Sequence, residues 1–516
     1  MHPFSSLLIL AALAQDPQPA PSADSLESVS ATLPDFSYAG YDHGESAPPD
    51  VDGLTLDVTD FGAVPDDRRD DAAAIQRAFD AAERVAPCVV FFPPGRFQLG
   101  TLNGPPIKPL TMTASGVVLR GSGHEAGGTE LFLPRHLDAV DPEKMWTTPY
   151  ALELGPASLE QGPPKRVVSA YGGPTNELLL DDGRDLVVGD WVRIAGRTPE
   201  LNAAFVAPHE LEPEWTRMLE QGVQVSQRLQ VAAVSGEQIT LRAPLRIALT
   251  LEDPRDLELV VSEQTMGTGI GVEDLAFVGD WTQRFRHHRS DVDDGGWSLL
   301  QLRNVNDSWI RRCRFTNVNR PWVLSRCANV SVLDSYTDGN SGHHASGLSE
   351  ATNCLVAWYA DRAGHHHGPG VQARAAGNVF HAVTWPASTS FEAHANFPML
   401  TLFDACRGAL RYGHWGGDRR GLPNHLGGLV FWNFEQVGAP VRGFQFWRPR
   451  SKGVHGRVLP PVLVGWFGPA EAASSLAPNQ ARALVSKGTS VEPASLWKQQ
   501  LAARLGGVLP AWLAER

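Results

Sequence analysis

Basic charge is in short supply in this chain, cysteine is scarcer still, and no apolar run of membrane length occurs. The 516 residues carry 57 Asp and Glu against 44 Lys and Arg, a formal net charge of −13. That balance argues against nucleic acid or an anionic membrane as partner. No stretch approaches the roughly 20 apolar residues that a membrane span requires, so no membrane insertion is expected. The five cysteines, Cys88, Cys313, Cys327, Cys354 and Cys406, are odd in number and lack CxxC or zinc-type spacing. Cys327, Cys354 and Cys406 sit in apolar strand-like runs, and buried free thiols are expected in preference to a disulfide framework.

What is present begins with "MHPFSSLLILAALAQ", a polar start, an apolar run from Leu7 to Leu13 and small residues near Ala14. It reads as a secretory leader over residues 1–14, removed near Ala14, which makes the mature protein secreted or periplasmic. A Pro, Ala and Ser-rich linker opens an N-terminal extension over 15–53.

The segment "LTLDVTDFGAVPDDRRDDAAAIQRAFDAAERVAPCVVFFPPGRFQLG" (54–100) runs from a strand through a Gly turn to an acidic cap at Asp70 and Asp71. An amphipathic helix through Ile75 and Phe79 follows, then the strand "CVVFF" and a Pro-Pro-Gly turn. This order resembles the start of the pectate-lyase-like superfamily of right-handed parallel β-helices. The resemblance implies an all-β solenoid whose capping helix covers the apolar open end. Weak repeats support it: segments starting near Asp274, Asp307, Asn329, Asn353, Asn378, Gly408 and Gly428 recur at intervals a coil can accommodate. Asx residues at these turn entries tolerate left-handed backbone. The reading is therefore a β-helix start over 54–184, a small antiparallel β-domain inserted over 185–250, main rungs over 251–470 and a C-terminal helical tail over 471–516.

Charge along the chain is uneven. From His343 to His425 there are nine of the 17 His, six Arg, no Lys and five acids. Stacked coils would set His343 over His367 and Ser341 over His365, gathering these groups on one edge. The candidate catalytic residues are His343, His344, Asp361, Arg362, His365, His366, Arg374, His381, Glu392 and His394. Candidate substrate-binding residues are His367, Trp385, Arg407, His414 and Trp415; tryptophan faces can stack on sugars.

The resemblance implies a polysaccharide substrate. Lyases acting on uronates need a cation to neutralise the sugar carboxylate and a base to take the adjacent proton. Hydrolases need two carboxyls flanking the glycosidic bond. Many Arg and His with few acids favour elimination, with Arg362, Arg374 or Arg407 as clamp and His365, His366 or His381 as base. Asp361 or Glu392 would orient an imidazole. Hydrolysis through Asp361, Glu392, Asp404 or Asp418 is the alternative, and a non-enzymatic polysaccharide-binding protein the second. The three-aspartate pattern of polygalacturonase-like hydrolases is not evident, nor are the calcium-site residues of typical pectate lyases. No cofactor is required. Calcium is conceivable at "DVDDGG" (291–296), where a solvated turn is the plainer reading, and zinc is conceivable at the histidines although no HExxH spacing occurs. The expected partner is an acidic polysaccharide or oligosaccharide.

Overall fold

The computed structural model describes residues 25–169, 174–248, 257–411, 416–438, 444–447, 458–469, 480–514 and 516. The leader expected over 1–14 lies outside them, as do the first residues of the linker. The chain winds through three parallel sheets of 12, 6 and 7 strands. One coil illustrates the repeat: Ser331–Leu333 enters the largest sheet, Tyr336–Asp338 the six-stranded sheet and Gly347–Ser349 the seven-stranded sheet. The next coil stacks on it, with Val332 opposite Val356, Thr337 opposite Asp361 and Leu348 opposite Val371. This is an all-β, right-handed parallel β-helix.

Parallel strands lie about 4.8 Å apart, so interior side chains meet their counterparts from adjacent coils. Phe380, Phe403 and Phe431 face one another in register, with successive ring centroids 4.8 and 5.0 Å apart and planes 8° and 10° from parallel. All five cysteines are free and buried. Burial pushes the Cys313 thiol up to about 12 and the Cys327 thiol up to about 11, which leaves both unreactive.

The repeats are partly in register with the sequence alignment. Trp309 faces Ser331 and Ser331 faces Leu355, as the spacings at Asp307, Asn329 and Asn353 require. Elsewhere the alignment slips. Glu273 faces Arg311, which sets Asp274 beside Arg312 and not Asp307. Gly408 faces Gln436 and not Gly428. Corner loops differ in length, so a turn-entry Asx does not by itself fix the register.

The helix Ala72–Val85 buries Ala74, Ile75, Ala78, Phe79 and Ala82 against the first coil. Asp70 accepts from the Ala72 N–H at its start (3.0 Å), while Asp71 holds the Val64 and Gln98 N–H groups at 2.8 Å each. The second acid thus ties the cap to the coil instead of capping the helix.

The chain leaves the solenoid after Leu152–Leu154 and rejoins it at Gly267–Thr268. Between them a six-stranded antiparallel sheet spans Lys165 to Glu263, so it starts before and ends after the 185–250 segment. It leans on the largest sheet through buried Arg228, whose N–H donates to Thr352 Oγ1 (3.0 Å) and whose Nη1 donates to the Glu350 carbonyl (3.1 Å). Strands Val462–Val464 and Ala483–Val485 carry the largest sheet beyond residue 470. The final long helix, Leu496–Arg504, is capped by Ser495 and docks on the same flank, where Asp404 accepts from the Ser495 hydroxyl and the Leu496 N–H. No described helix is long and apolar enough to cross a membrane.

Candidate functional site: an imidazole corner

Between the six- and seven-stranded sheets each coil turns a corner, and four of these corner segments converge. They are residues 280–297, 339–346, 362–369 and the 385–394 turn. The first reaches across the next two coils. Trp281 Nε1 donates to the Ser341 carbonyl (2.8 Å), and Asn340 Nδ2 donates to the Gln283 carbonyl (2.6 Å). The "DVDDGG" run is not a solvated turn: it forms a short helix, Asp291–Gly295, with Asp293 and Asp294 buried. Asp293 holds the Arg286 N–H (2.9 Å) and the Arg289 guanidinium (2.7 Å), and Asp294 holds His288 Nδ1 at 2.5 Å. These contacts pull the 284–289 strip over the corner.

His287, His343, His344, His366, His367 and His394 meet there. The rings of His287, His343 and His367 stand at the points of a near-equilateral triangle, with centroids 5.1, 5.2 and 5.3 Å apart. His366 lies against His287 at 4.3 Å and His344 against His367 at 4.6 Å. The bridge at this corner pairs His344 with His367, one residue off the expected pairing of His343 with His367. Two ring orientations are settled by oxygen partners. His343 Nδ1 donates to the Asp294 carbonyl (2.8 Å), and His367 Nδ1 donates to Glu392 Oε2 (3.0 Å). The other Glu392 oxygen accepts from His394 Nδ1 (2.7 Å) and the Gly416 N–H (2.9 Å). A Cβ at Gly416 would lie 2.2 Å from the His394 ring, so a larger residue there would displace that ring.

Burial, then the neighbouring His367 and His288, push His287 down to about 3. Burial and adjacent imidazoles hold His343 and His344 well below the ordinary histidine range. Burial alone would raise the Glu392 carboxyl, but His367 and His394 outweigh it and hold the group far below the usual carboxylate range.

Other sequence candidates lie elsewhere. His365 is fully buried, with Nδ1 3.0 Å from Asp361 and Nε2 3.1 Å from the Val318 carbonyl. Asp361 does orient an imidazole, but one sealed from any substrate, so the pair is structural. Arg362 is exposed and covers the Tyr336 ring at 3.9 Å. Arg374 lies at the insert, bound to Glu350 (2.5 Å) and Gln224 (2.8 Å), and is committed there. His381 does not reach the corner: it sits on the flank under the C-terminal helix, bonded to Asp404 (2.8 Å) and packed on Trp497. Asp404 is thus occupied, and Asp418 caps a 3₁₀ turn at Arg420. Trp385 is buried in the core at 2% exposure and presents no face to a sugar. Arg407 is exposed and paired with Glu435. His414 and Trp415 lie outside the described residues. His287 and His288 escaped the sequence reading, although an adjacent histidine pair before an acidic run, inside an overlong repeat interval, marked them; Asp294 lay in the acidic run read there as a solvated turn or calcium site.

Residues 55–127 match the family described as rhamnogalacturonase A/epimerase, pectate lyase-like. The fold is that of a pectate-lyase-like right-handed β-helix. Residues 364–516, which supply His366, His367, Glu392 and His394 of the corner, match a second family, a domain of unknown function designated DUF4955. No curated protein matches the sequence. Three solved structures are similar to this chain at low identity. One is a tailspike protein from Pseudomonas phage LKA1, 15% identical, covering 85% of this chain and 74% of its own, with a TM-score of 0.44. A surface adhesin of Streptococcus pneumoniae is 12% identical over 81% and 87%, with a TM-score of 0.42. The A-module of a mannuronan C-5 epimerase from Azotobacter vinelandii is 13% identical over 81% and 87%, with a TM-score of 0.39.

Proposed function

We propose that this chain is a polysaccharide-active enzyme that cleaves an acidic, uronate-containing glycan by β-elimination, with the imidazole corner as its active site. The observation that carries this reading is the Glu392–His394 pair. A buried carboxylate fixes Nδ1 of a ring whose side chain is 29% exposed, so Nε2 carries the lone pair a base needs. Arg284 and Arg286, exposed on the strip above, supply guanidinium groups for the substrate carboxylate. His366, partly accessible and 4.6 Å from the His367 ring, is the group to return a proton to the leaving oxygen. Hydrolysis fits less well, because it needs two free carboxyls about 5–9.5 Å apart. Glu392 and Asp294 are both buried and already bonded to imidazoles. The rhamnogalacturonase/epimerase family match supports a glycan substrate. Export follows from the leader reading and is checked by sequencing the mature N-terminus.

The test is to incubate the purified protein with a panel of uronate polysaccharides and follow the ultraviolet absorbance of the unsaturated product. Elimination is expected in the native chain and a loss of at least about 100-fold in His394→Ala. Reducing ends without that absorbance would move the assignment to hydrolysis. No cleavage of any acidic or neutral glycan would leave a binding protein.

A further inference from the structure

We propose that His287, His343 and His367 bind one imidazole-preferring divalent cation, Zn²⁺ or a transition ion of its kind. One donor nitrogen from each ring lies within 4.8 Å of the other two. The His367 and His287 Nε2 atoms are 3.3 Å apart. Two nitrogens bound tetrahedrally to zinc at about 2.0–2.1 Å stand about 3.3–3.4 Å apart, so that pair already has the spacing of a tetrahedral edge.

The hydrogen-bond pattern points the same way. A carbonyl accepts and never donates, so His343 Nδ1 must carry the proton it gives to Asp294, and Nε2 is bare. That Nε2 is buried and has no hydrogen-bond partner among the described residues. The same logic at Glu392 leaves His367 Nε2 unprotonated. A hydrogen bond from His287 to His367 would leave His343 Nε2 without a partner among the described residues. One cation satisfies all three. Both buried ligands also have the outer partner that metal-bound histidines use, a carboxylate for His367 and a backbone carbonyl for His343. An all-nitrogen triad suits a borderline transition ion, whereas calcium takes six to eight oxygens.

Three protein ligands leave a fourth position for water or a substrate oxygen. His287 is exposed, so this position lies at the rim and not in the core. Because Glu392 holds His367 with one oxygen and His394 with the other, the cation would share its supporting carboxylate with the base. Its part in catalysis, neutralising a uronate carboxylate, rests on the lyase reading. The binding site itself does not. A second set of possible ligands, His288, Asp294 and His343, shares His343, but its His288 and Asp294 already bond each other at 2.5 Å.

The test uses the full chain, stripped with chelator, dialysed, and re-equilibrated with Zn²⁺ alone while bound metal is counted by elemental mass spectrometry. One ion per chain is expected, with affinity reduced at least about tenfold in His287→Ala, whose exposed position spares the fold, and in His343→Gln. Co²⁺ in place of Zn²⁺ should give the intense visible absorption of a four-coordinate site, absent from both variants. Equal zinc uptake by wild type and His287→Ala, or stoichiometry well below one, overturns the site. Full elimination by metal-stripped protein overturns its catalytic role while the lyase reading stands. Stoichiometric zinc that both variants lose, with no glycan cleaved, supports the site and refutes the lyase.

Discussion

Glu392→Gln tests the architecture of the corner most directly. The change is nearly isosteric, so its effect is one of charge and hydrogen bonding. Glu392 is 3% exposed and accepts from His367, His394 and the Gly416 N–H. A glutamine offers one acceptor oxygen where the carboxylate offers two, so one imidazole loses its partner. Hydrogen bonds to charged groups contribute about 1.5–3 kcal/mol and neutral ones about 1 kcal/mol, so losing one bond and weakening the other costs about 2–5 kcal/mol. If His367 instead switches its proton to Nε2, it accepts from the new amide but can no longer ligate a cation. Hydrogen–deuterium exchange of peptides covering 365–372 and 390–396 reads the cost as local opening. At about 1.4 kcal/mol per tenfold, the amides should exchange at least about 30-fold faster. Zinc affinity should fall about 10–100-fold. Exchange within about threefold of wild type would refute the claim that this carboxylate organises the corner.

Other outcomes follow from contacts outside the corner's chemistry. His365→Ala leaves Asp361 buried without its imidazole, so it should destabilise the protein by about 3–5 kcal/mol in urea unfolding, while Arg362→Ala should keep turnover within about twofold. Burial raises the Asp307 carboxyl to about 6, partly opposed by the Asp42 N–H it accepts. The folded state therefore holds this proton more tightly than the unfolded chain, and the contribution to stability is full below about pH 4 and lost as pH rises through about 6. Melting temperature measured across pH 4–7 should show a descending component that Asp307→Asn removes, because the amide keeps the acceptor without the charge. Ser495→Ala removes a helix cap and a hydroxyl bonded to Asp404, and should cost about 1 kcal/mol while exposing the tail to limited proteolysis.

The solenoid could be read from sequence because its signals are local. The capped helix at Asp70 and the Pro-Pro-Gly turn declare the first coil, and Asx turns with apolar runs declare the later ones. The middle spacings, Asp307 to Asn329 and Asn329 to Asn353, matched the strand register because those coils carry corner loops of similar length. Register failed at Asp274 and Gly408, where corners lengthen. The corner itself was legible in part. His343, His344, His366, His367, Glu392 and His394 come together as coil stacking suggested. His381 and Arg374 were placed with them because linear proximity cannot tell one corner of a coil from another. His287 was missed because its place depends on Trp281 and Asn340 pinning a loop across two coils, contacts that no periodicity announces.

The corner draws on four windings, and no single one holds the full set of groups. A protein whose last windings fray would keep its cap, its insert and most of its sheet, yet present a corner without Glu392 or His394. On the proposed function, activity would then report on completion of these windings, a property that stability measurements averaged over the molecule would overlook.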